Sequence, residues 1–175
     1  GSLCLLDWYT CGRRARGEEW DFLHYESAND VYVGDKLLLH DAVRLSVEDG
    51  SRVSIKERMR PFLCSAMVVL AGPRMVKVAA EALAAIALRQ SERFAEPALA
   101  EGQGAGRKRG RHPGEDDEKE RDGLVCSASP LPGGGAVIRV AGQGQEHVQD
   151  FLRDHIRGLE DQVGDTLWQR KFALH

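Results

Sequence analysis

The sequence contains none of the short motifs that mark the common enzyme classes. It has no G-x-x-x-x-G-K-[ST] phosphate loop, no G-x-S-x-G or S-x-x-K nucleophile motif and no H-E-x-x-H zinc motif. The six histidines are scattered, and no two of them form a short pair with metal-ligand spacing. The chain is therefore not predicted to be an enzyme, and a partner-binding role is favoured.

Cysteine is sparse as well. The four cysteines form no C-x-x-C pair and lie far apart: Cys4, Cys11, Cys64 and Cys126. This spacing fits neither a disulfide framework nor a zinc site, so we expect reduced, buried thiols in a cytoplasmic protein.

Strong net charge and long apolar runs are also lacking. A net charge of −3 and a pI of about 6.1 argue against a dedicated nucleic-acid-binding protein, which would carry a basic domain. The most apolar region, 62–88, is interrupted by Gly-Pro-Arg and by two further charges, so no membrane span is predicted. The first residues show no pattern that predicts a secretory leader, and the sequence starts without an initiator methionine. We therefore expect the C-terminal part of a longer cytoplasmic protein.

The chain does contain, near its beginning, a succession of short aromatic and aliphatic runs. They cover 3–8, 19–25, 30–33, 36–40 and 42–47, with Ser27-Ala28-Asn29 and Gly34-Asp35 between them. Such runs predict antiparallel strands joined by tight turns. The polar segment 51–61 is predicted to be a loop or an edge strand, because a proline holds its predecessor extended.

Further along, the apolar run 62–71 predicts a strand covered on both faces. Gly72-Pro73 starts a helix that ends near residue 94. The predicted core face of this helix is Val76, Ala79, Ala80, Leu83, Ile86, Ala87 and Phe94. Because its other side is also apolar, we expect the helix to be sandwiched inside the domain or, alternatively, to lie against a partner.

The remaining pattern is a hairpin of strands 124–128 and 136–141, a helix over 145–159 and a tail over 165–175. The tail is expected to dock through Leu167, Trp168 and Phe172. Taken together, we predict an α+β protein, mainly antiparallel β with about eight strands and two α-helices, in one domain over 1–175.

The segment 97–123 has a different composition. It is rich in glycine, and a basic cluster at 107–111 is followed by acidic residues over 115–118. It cannot bury enough apolar area to offset its ordering entropy, so a disordered, charged insertion is predicted. The alternative is a nucleic-acid-associated module that uses residues 107–111.

Two groups of residues are candidates for function. His147, Asp150 and Asp154 share a helix face, and a weak divalent-metal site there would make the chain a metal-assisted hydrolase. The stretch 12–20, GRRARGEEW, contains three arginines, and an arginine side chain can bind a carboxylate or a phosphate bidentately. This stretch is either an internally salt-bridged turn or the rim of a protein-binding surface.

Four stretches of the sequence carry a family resemblance: 12–22, LLLHDAVRL (37–45), RMRPF (58–62) and Gly72-Pro73. Together they resemble the urease accessory protein family UreD, also called UreH, in its plant, fungal or algal form. The resemblance runs from residue 3 to about 159 and skips the insertion. By resemblance, the residues at a partner-binding surface or structural turn are Gly12, Arg13, Arg16, Gly17, Glu18, Trp20, Asp41 and Arg44.

The resemblance implies a non-catalytic scaffold with a distorted β-helix-like or sandwich-like fold. It implies binding of the urease apoprotein and of the accessory protein UreF, which recruits the GTPase UreG. Nickel would be passed to the urease active site rather than kept as a stable cofactor. The family also has an N-terminal portion that this chain is expected to lack.

Overall fold

The computed structural model describes residues 1–47, 52–95 and 123–172, with the side chains of 93–95 and 171 excepted. These residues confirm the predicted α+β class. The strands are β1 (Leu3–Thr10), β2 (His24–Val33), β3 (Lys36–Ser46), β4 (Cys64–Ala71), β5 (Leu124–Leu131) and β6 (Gly135–Gly142). The helices are α1 (Ile55–Met59), α2 (Val76–Ala95), α3 (Gln145–His155), α4 (Glu160–Val163) and α5 (Asp165–Phe172). Apart from Gly123, the predicted insertion 97–123 lies outside the described residues.

Strand β4 lies inside a four-stranded antiparallel sheet with the order β1-β4-β6-β5. Its predicted burial on both faces is confirmed, because Val68 and Val69 point to opposite faces and both are completely buried. The predicted hairpin after residue 123 is confirmed too, since β5 pairs with β6 from Leu124 opposite Gly142 onward. Helices α2 and α3 cover one face of this sheet.

Strands β2 and β3 form a second, two-stranded antiparallel sheet. They are joined at the predicted Gly34-Asp35 turn. This hairpin packs on the face of the large sheet that points away from the helices, through the buried residues Val31, Met67, Val69 and Val137. The two sheets therefore form a small sandwich, with the helices as a third layer.

The predicted division of this hairpin into several short strands is wrong. The segment 27–29 is not a turn but part of β2, where Ala28 lies opposite Ala42. The runs 36–40 and 42–47 are likewise one strand, and the run 19–25 becomes a strand only at His24. Small and polar residues can continue a strand when the neighbouring strand pairs with their backbone groups. The composition of the segment does not show whether such a partner strand is present. The described residues thus contain six strands instead of about eight.

The buried side of α2 agrees with the predicted one only in part. Of the predicted face, Ala79 and Ile86 are buried, whereas Val76 and Ala80 are exposed. Val78 and Ala82, which lie outside the predicted face, are also buried. The helix is therefore not sandwiched, since its outer side is exposed in the described part of the chain. Alanine on every side of the helix leaves its apolar periodicity without a clear direction, so packing against the sheet selects the face.

The segment 51–61 contains a helix, α1, and not the predicted loop or edge strand. Ser54 Oγ accepts a hydrogen bond from the Glu57 backbone N–H at 3.2 Å, and the Glu57 carboxylate accepts one from the Ser54 N–H at 3.0 Å. This capping box was visible as S-x-x-E in the sequence. The hydrogen bonds from Ser54 hold the pKa of the Glu57 carboxyl below its ordinary value.

The end of the described chain packs on the helical layer. Helix α3 stops at His155, before the predicted end at 159, and a 3-10 turn follows over Arg157–Leu159. The predicted docking of the tail is confirmed for Trp168, which is buried, whereas Leu167 is exposed. None of the helices in the described ranges is long and apolar enough to cross a membrane.

Candidate functional site

The stretch from Gly12 to Trp20 folds as a closed loop between β1 and β2. Arg14–Arg16 form a 3-10 turn that ends at Gly17, whose φ of 79° lies in the left-handed region that favours glycine. The backbone N–H of Trp20 donates a hydrogen bond to the backbone carbonyl of Cys11 at 2.6 Å, and this bond joins the two ends of the loop. We call residues 12–20 the arginine turn.

An ion pair braces the arginine turn from within. Arg13 Nε donates to Glu18 Oε2 at 2.7 Å, and Arg13 Nη2 donates to Glu18 Oε1 at 2.8 Å. This two-point contact matches the planar guanidinium to the planar carboxylate. The internally salt-bridged turn, one of the two alternatives from the sequence, is therefore present. Arg14 and Arg16 take no part in this pair and are exposed.

Trp20 anchors the turn to the body of the protein. Its side chain is 3% exposed, and its indole Nε1 donates to the Phe62 carbonyl at 3.0 Å. The ring packs edge-on against Tyr9 and Phe22, with centroids 6.1 Å away in both cases. The φ of Trp20 is 55°, a conformation that a bulky residue adopts only where its surroundings enforce it.

Asp41 and Arg44, which the sequence grouped with the turn, lie on strand β3 and have other contacts. Arg139 Nε of β6 donates to Asp41 Oδ1 at 3.0 Å, so this pair ties the hairpin to the large sheet. Arg44 lies opposite Glu26 in the register of the hairpin. Asp41 therefore has a structural role in the sandwich. Sequence reasoning did not single out Arg139, because nothing local links residues so far apart in the chain.

Of the three α3 residues His147, Asp150 and Asp154, the two aspartates interact with Arg153. Arg153 Nη2 donates to Asp150 Oδ1 at 2.6 Å and Arg153 Nε lies 3.9 Å from Asp154 Oδ1. Neighbouring His155 stacks on Phe151 at 4.0 Å between ring centroids. In the parts of the chain that the structure describes, no three His, Cys, Asp or Glu side chains are arranged to hold a metal ion.

Two of the four thiols are buried: Cys11 packs in the cluster with Trp20, and Cys64 lies in the core under the helices. The predicted burial is wrong for Cys4, which is exposed, and for Cys126, which is half-buried. Burial raises the pKa of the Cys64 thiol from an ordinary value of 9.0 to about 11, with a smaller contribution from Cys11. Burial also raises the pKa of the Cys11 thiol. Both thiols are therefore protonated at neutral pH and are poor nucleophiles.

We expect Cys64 to make stability depend on pH above 9. The unfolded thiol releases its proton near 9.0 and the folded one near 11, so the folded state binds more protons in this interval. The free energy of unfolding should therefore fall as pH rises from about 9 to about 11. Urea denaturation of the wild type and of Cys64→Ala across this range measures the effect. An identical slope in both proteins would contradict it.

This geometry defines a class: an α+β protein of two packed antiparallel sheets that carries an exposed, internally braced arginine turn. The chain belongs to the UreD family, because the family model described as UreD urease accessory protein matches residues 1–170. The resemblance seen in the sequence is thus confirmed, and the family name describes an accessory protein of urease.

Individual relatives agree with the family match. The urease accessory protein D of rice (Oryza sativa subsp. indica) is 33% identical over 165 residues, which is 93% of this chain and 51% of the rice protein. UreD of the bacterium Sorangium cellulosum is 39% identical over 171 residues, covering 98% of this chain and 45% of that protein. Accessory protein D of Arabidopsis thaliana is 33% identical over 171 residues, with 94% and 54% covered. The chain thus spans about half the length of these relatives.

Proposed function

We propose that this chain acts as a non-catalytic scaffold in the maturation of urease. The observation that carries this function is the match of the UreD family over residues 1–170, supported by relatives from plants and bacteria that are named urease accessory proteins. The partners are the urease apoprotein and the accessory protein UreF, and UreG joins through UreF. Nickel is cargo for the urease active site, and the scaffold keeps none as a stable cofactor.

The physical character of the chain supports a scaffold. A surface turn with exposed arginines suits protein recognition, because arginine is enriched in interfaces and a loop that is already ordered loses little backbone entropy on binding. The cysteines in the described residues are free thiols, which agrees with a reducing, cytoplasmic location. We also propose that residues 1–175 fold as one domain.

Co-purification tests the proposal directly. The tagged 175-residue chain is expressed with urease apoprotein, UreF and UreG, and is captured at about 0.15 M salt, where distant charges are already screened. We expect urease apoprotein and UreF to be retained, and UreG to be retained only when UreF is present. Retention of neither urease apoprotein nor UreF would refute the scaffold function.

The two alternatives predict different results in the same experiment. Replacing His147, Asp150 and Asp154 together with alanine leaves retention and urease activation unchanged for a scaffold, but abolishes the activity of a metal-assisted hydrolase. Deleting residues 97–122 leaves retention unchanged for a scaffold. A nucleic-acid-associated module would instead lose its binding with the basic cluster 107–111.

A further inference from the structure

The arginine turn presents two cations that the fold itself does not use. Arg14 and Arg16 are both exposed, and neither forms an ion pair with any residue that the structure describes. Other guanidinium groups in the protein do engage carboxylates: Arg13 pairs with Glu18, and Arg139 with Asp41. Arg52, Arg60 and Arg170 are also exposed and form no ion pair with the described residues, but Arg14 and Arg16 differ from them in lying two residues apart within one braced turn.

From this difference we infer that Arg14 and Arg16 form a docking surface for an acidic segment of a partner protein. The inference rests on the proposed scaffold function and adds the chemistry of the partner. A guanidinium group has a planar fork of donors that matches a carboxylate at two points. The partner segment therefore carries aspartate or glutamate side chains that face the turn.

The turn is prepared for this contact before any partner binds. The Arg13–Glu18 pair closes the loop, and the buried Trp20 ring fixes its end against the protein body. Backbone strain at Trp20, with φ at 55°, persists only because these contacts over-determine the conformation. A loop that is already ordered loses little entropy when a partner docks, which favours binding.

The neighbouring charges favour a protein over a nucleic acid as the partner. Glu18, Glu19 and Asp21 lie in the same connection, and Asp21 is exposed. Glu18 is paired with Arg13 and Glu19 Oε1 lies 3.6 Å from Lys56 Nζ, so the exposed Asp21 and the net charge of −3 are what disfavour a phosphate backbone with a charge at every nucleotide. A folded protein can place a few carboxylates opposite the arginines and leave the acidic positions uncontacted.

An apolar side chain at the same end of the hairpin supports this choice. Leu23 is 76% exposed, and its carbonyl accepts a hydrogen bond from the Val47 N–H at 3.1 Å. Its Cα is at most about 11 Å from that of Trp20, because consecutive Cα atoms are about 3.8 Å apart. An exposed apolar side chain in the same connection as a charged turn suits a protein interface, whose core is apolar, and contributes little to binding a phosphate backbone.

Charge reversal tests the inference. The double variant Arg14→Glu, Arg16→Glu is compared with the matched double variant Lys77→Glu, Arg157→Glu, which makes the same change of charge at exposed positions of the helical layer. Urease apoprotein and UreF, each alone, are the probes. We expect the first variant to weaken the retention of one probe by at least about tenfold, since it places like charges opposite each other, and the matched control to bind as the wild type. Arg14→Lys, Arg16→Lys should bind with intermediate strength, because it keeps the charge and loses the fork.

Each failure has a separate meaning. If the wild type retains neither probe, the scaffold function itself is wrong. If the wild type retains a probe and the Arg14→Glu, Arg16→Glu variant retains it equally, the docking surface is wrong and the scaffold function stands. If nuclease treatment abolishes the retention, a nucleic acid bridges the proteins and the acidic-protein partner is wrong. Circular dichroism and thermal unfolding of each variant verify that the fold is intact.

Discussion

Replacing Trp20 with alanine is expected to lower the free energy of unfolding by about 3–5 kcal/mol, the range for truncating a large buried aromatic side chain. The ring is 3% exposed and belongs to a small cluster with Cys11 and Ile55. The substitution leaves a cavity there and removes the indole hydrogen bond to the Phe62 carbonyl. Since a domain of this kind is stable by only about 5–15 kcal/mol, the loss is a large fraction of the total.

Urea denaturation followed by circular dichroism measures this loss, and Leu23→Ala is the matched control. Leu23 lies three residues further along but is 76% exposed, so its truncation should change the free energy of unfolding by no more than about 0.5 kcal/mol. Equal effects of the two substitutions would show that Trp20 does not anchor the turn. Because the arginine turn depends on that anchor, Trp20→Ala should also weaken partner retention.

Replacing Gly135 with alanine is expected to destabilise the sheet by about 2–3 kcal/mol, as overpacking of a close-packed interior does. A Cβ atom at this position would lie 2.4 Å from the Leu70 carbonyl oxygen and 3.4 Å from the Ala71 Cα. Both of these are backbone atoms of β4, which is held by β1 and β6 on its two sides. They cannot move aside without disturbing the hydrogen-bonded ladder.

The control for this prediction is Gly144→Ala, in the turn before α3. There the nearest heavy atom to a new Cβ is His147 Nδ1 at 3.7 Å, an ordinary contact, and the φ of −160° suits any residue. Thermal unfolding should show a Tm lower by about 4–12 °C for Gly135→Ala, from the usual 2–4 °C per kcal/mol for a chain of this length. A Gly135→Ala protein as stable as the Gly144→Ala control would mean that β4 yields to the added methyl group.

The secondary-structure elements that could be predicted are those whose signals lie in residues close together in the sequence. The run 62–71 was correctly predicted to hold a strand covered on both faces, which begins at Cys64, because a short and nearly continuous apolar run with adjacent valines is typical of such a strand. The start of a helix at Gly72-Pro73 and the hairpin before β6 also follow from short-range signals. Helix α1 had an equally local signal, the capping box at Ser54 and Glu57. Pro61 holds only Arg60 extended, and Arg60 lies beyond the end of this helix.

The candidate site was predictable only in part. The clustering of arginines in the stretch 12–20 and its family likeness were visible in the sequence. Which arginine closes the turn and which ones face solvent depends on the geometry of the loop. The family resemblance named Arg13 and Arg16, and Arg14 was included only among the arginines of the stretch, because residue type does not show which arginine is paired. Only the contact of Arg13 with Glu18 separates it from Arg14 and Arg16.

By itself, the sequence determined the family, the apolar centre of the sheet and the place of the arginine turn, because each depends on residues close together in the chain. The tertiary structure decided the rest. The pairing of Asp41 with Arg139, the buried side of α2 and the anchoring of Trp20 on the Phe62 carbonyl all join distant segments. Such contacts follow from the order in which the strands pack, and local propensity carries no information about that order.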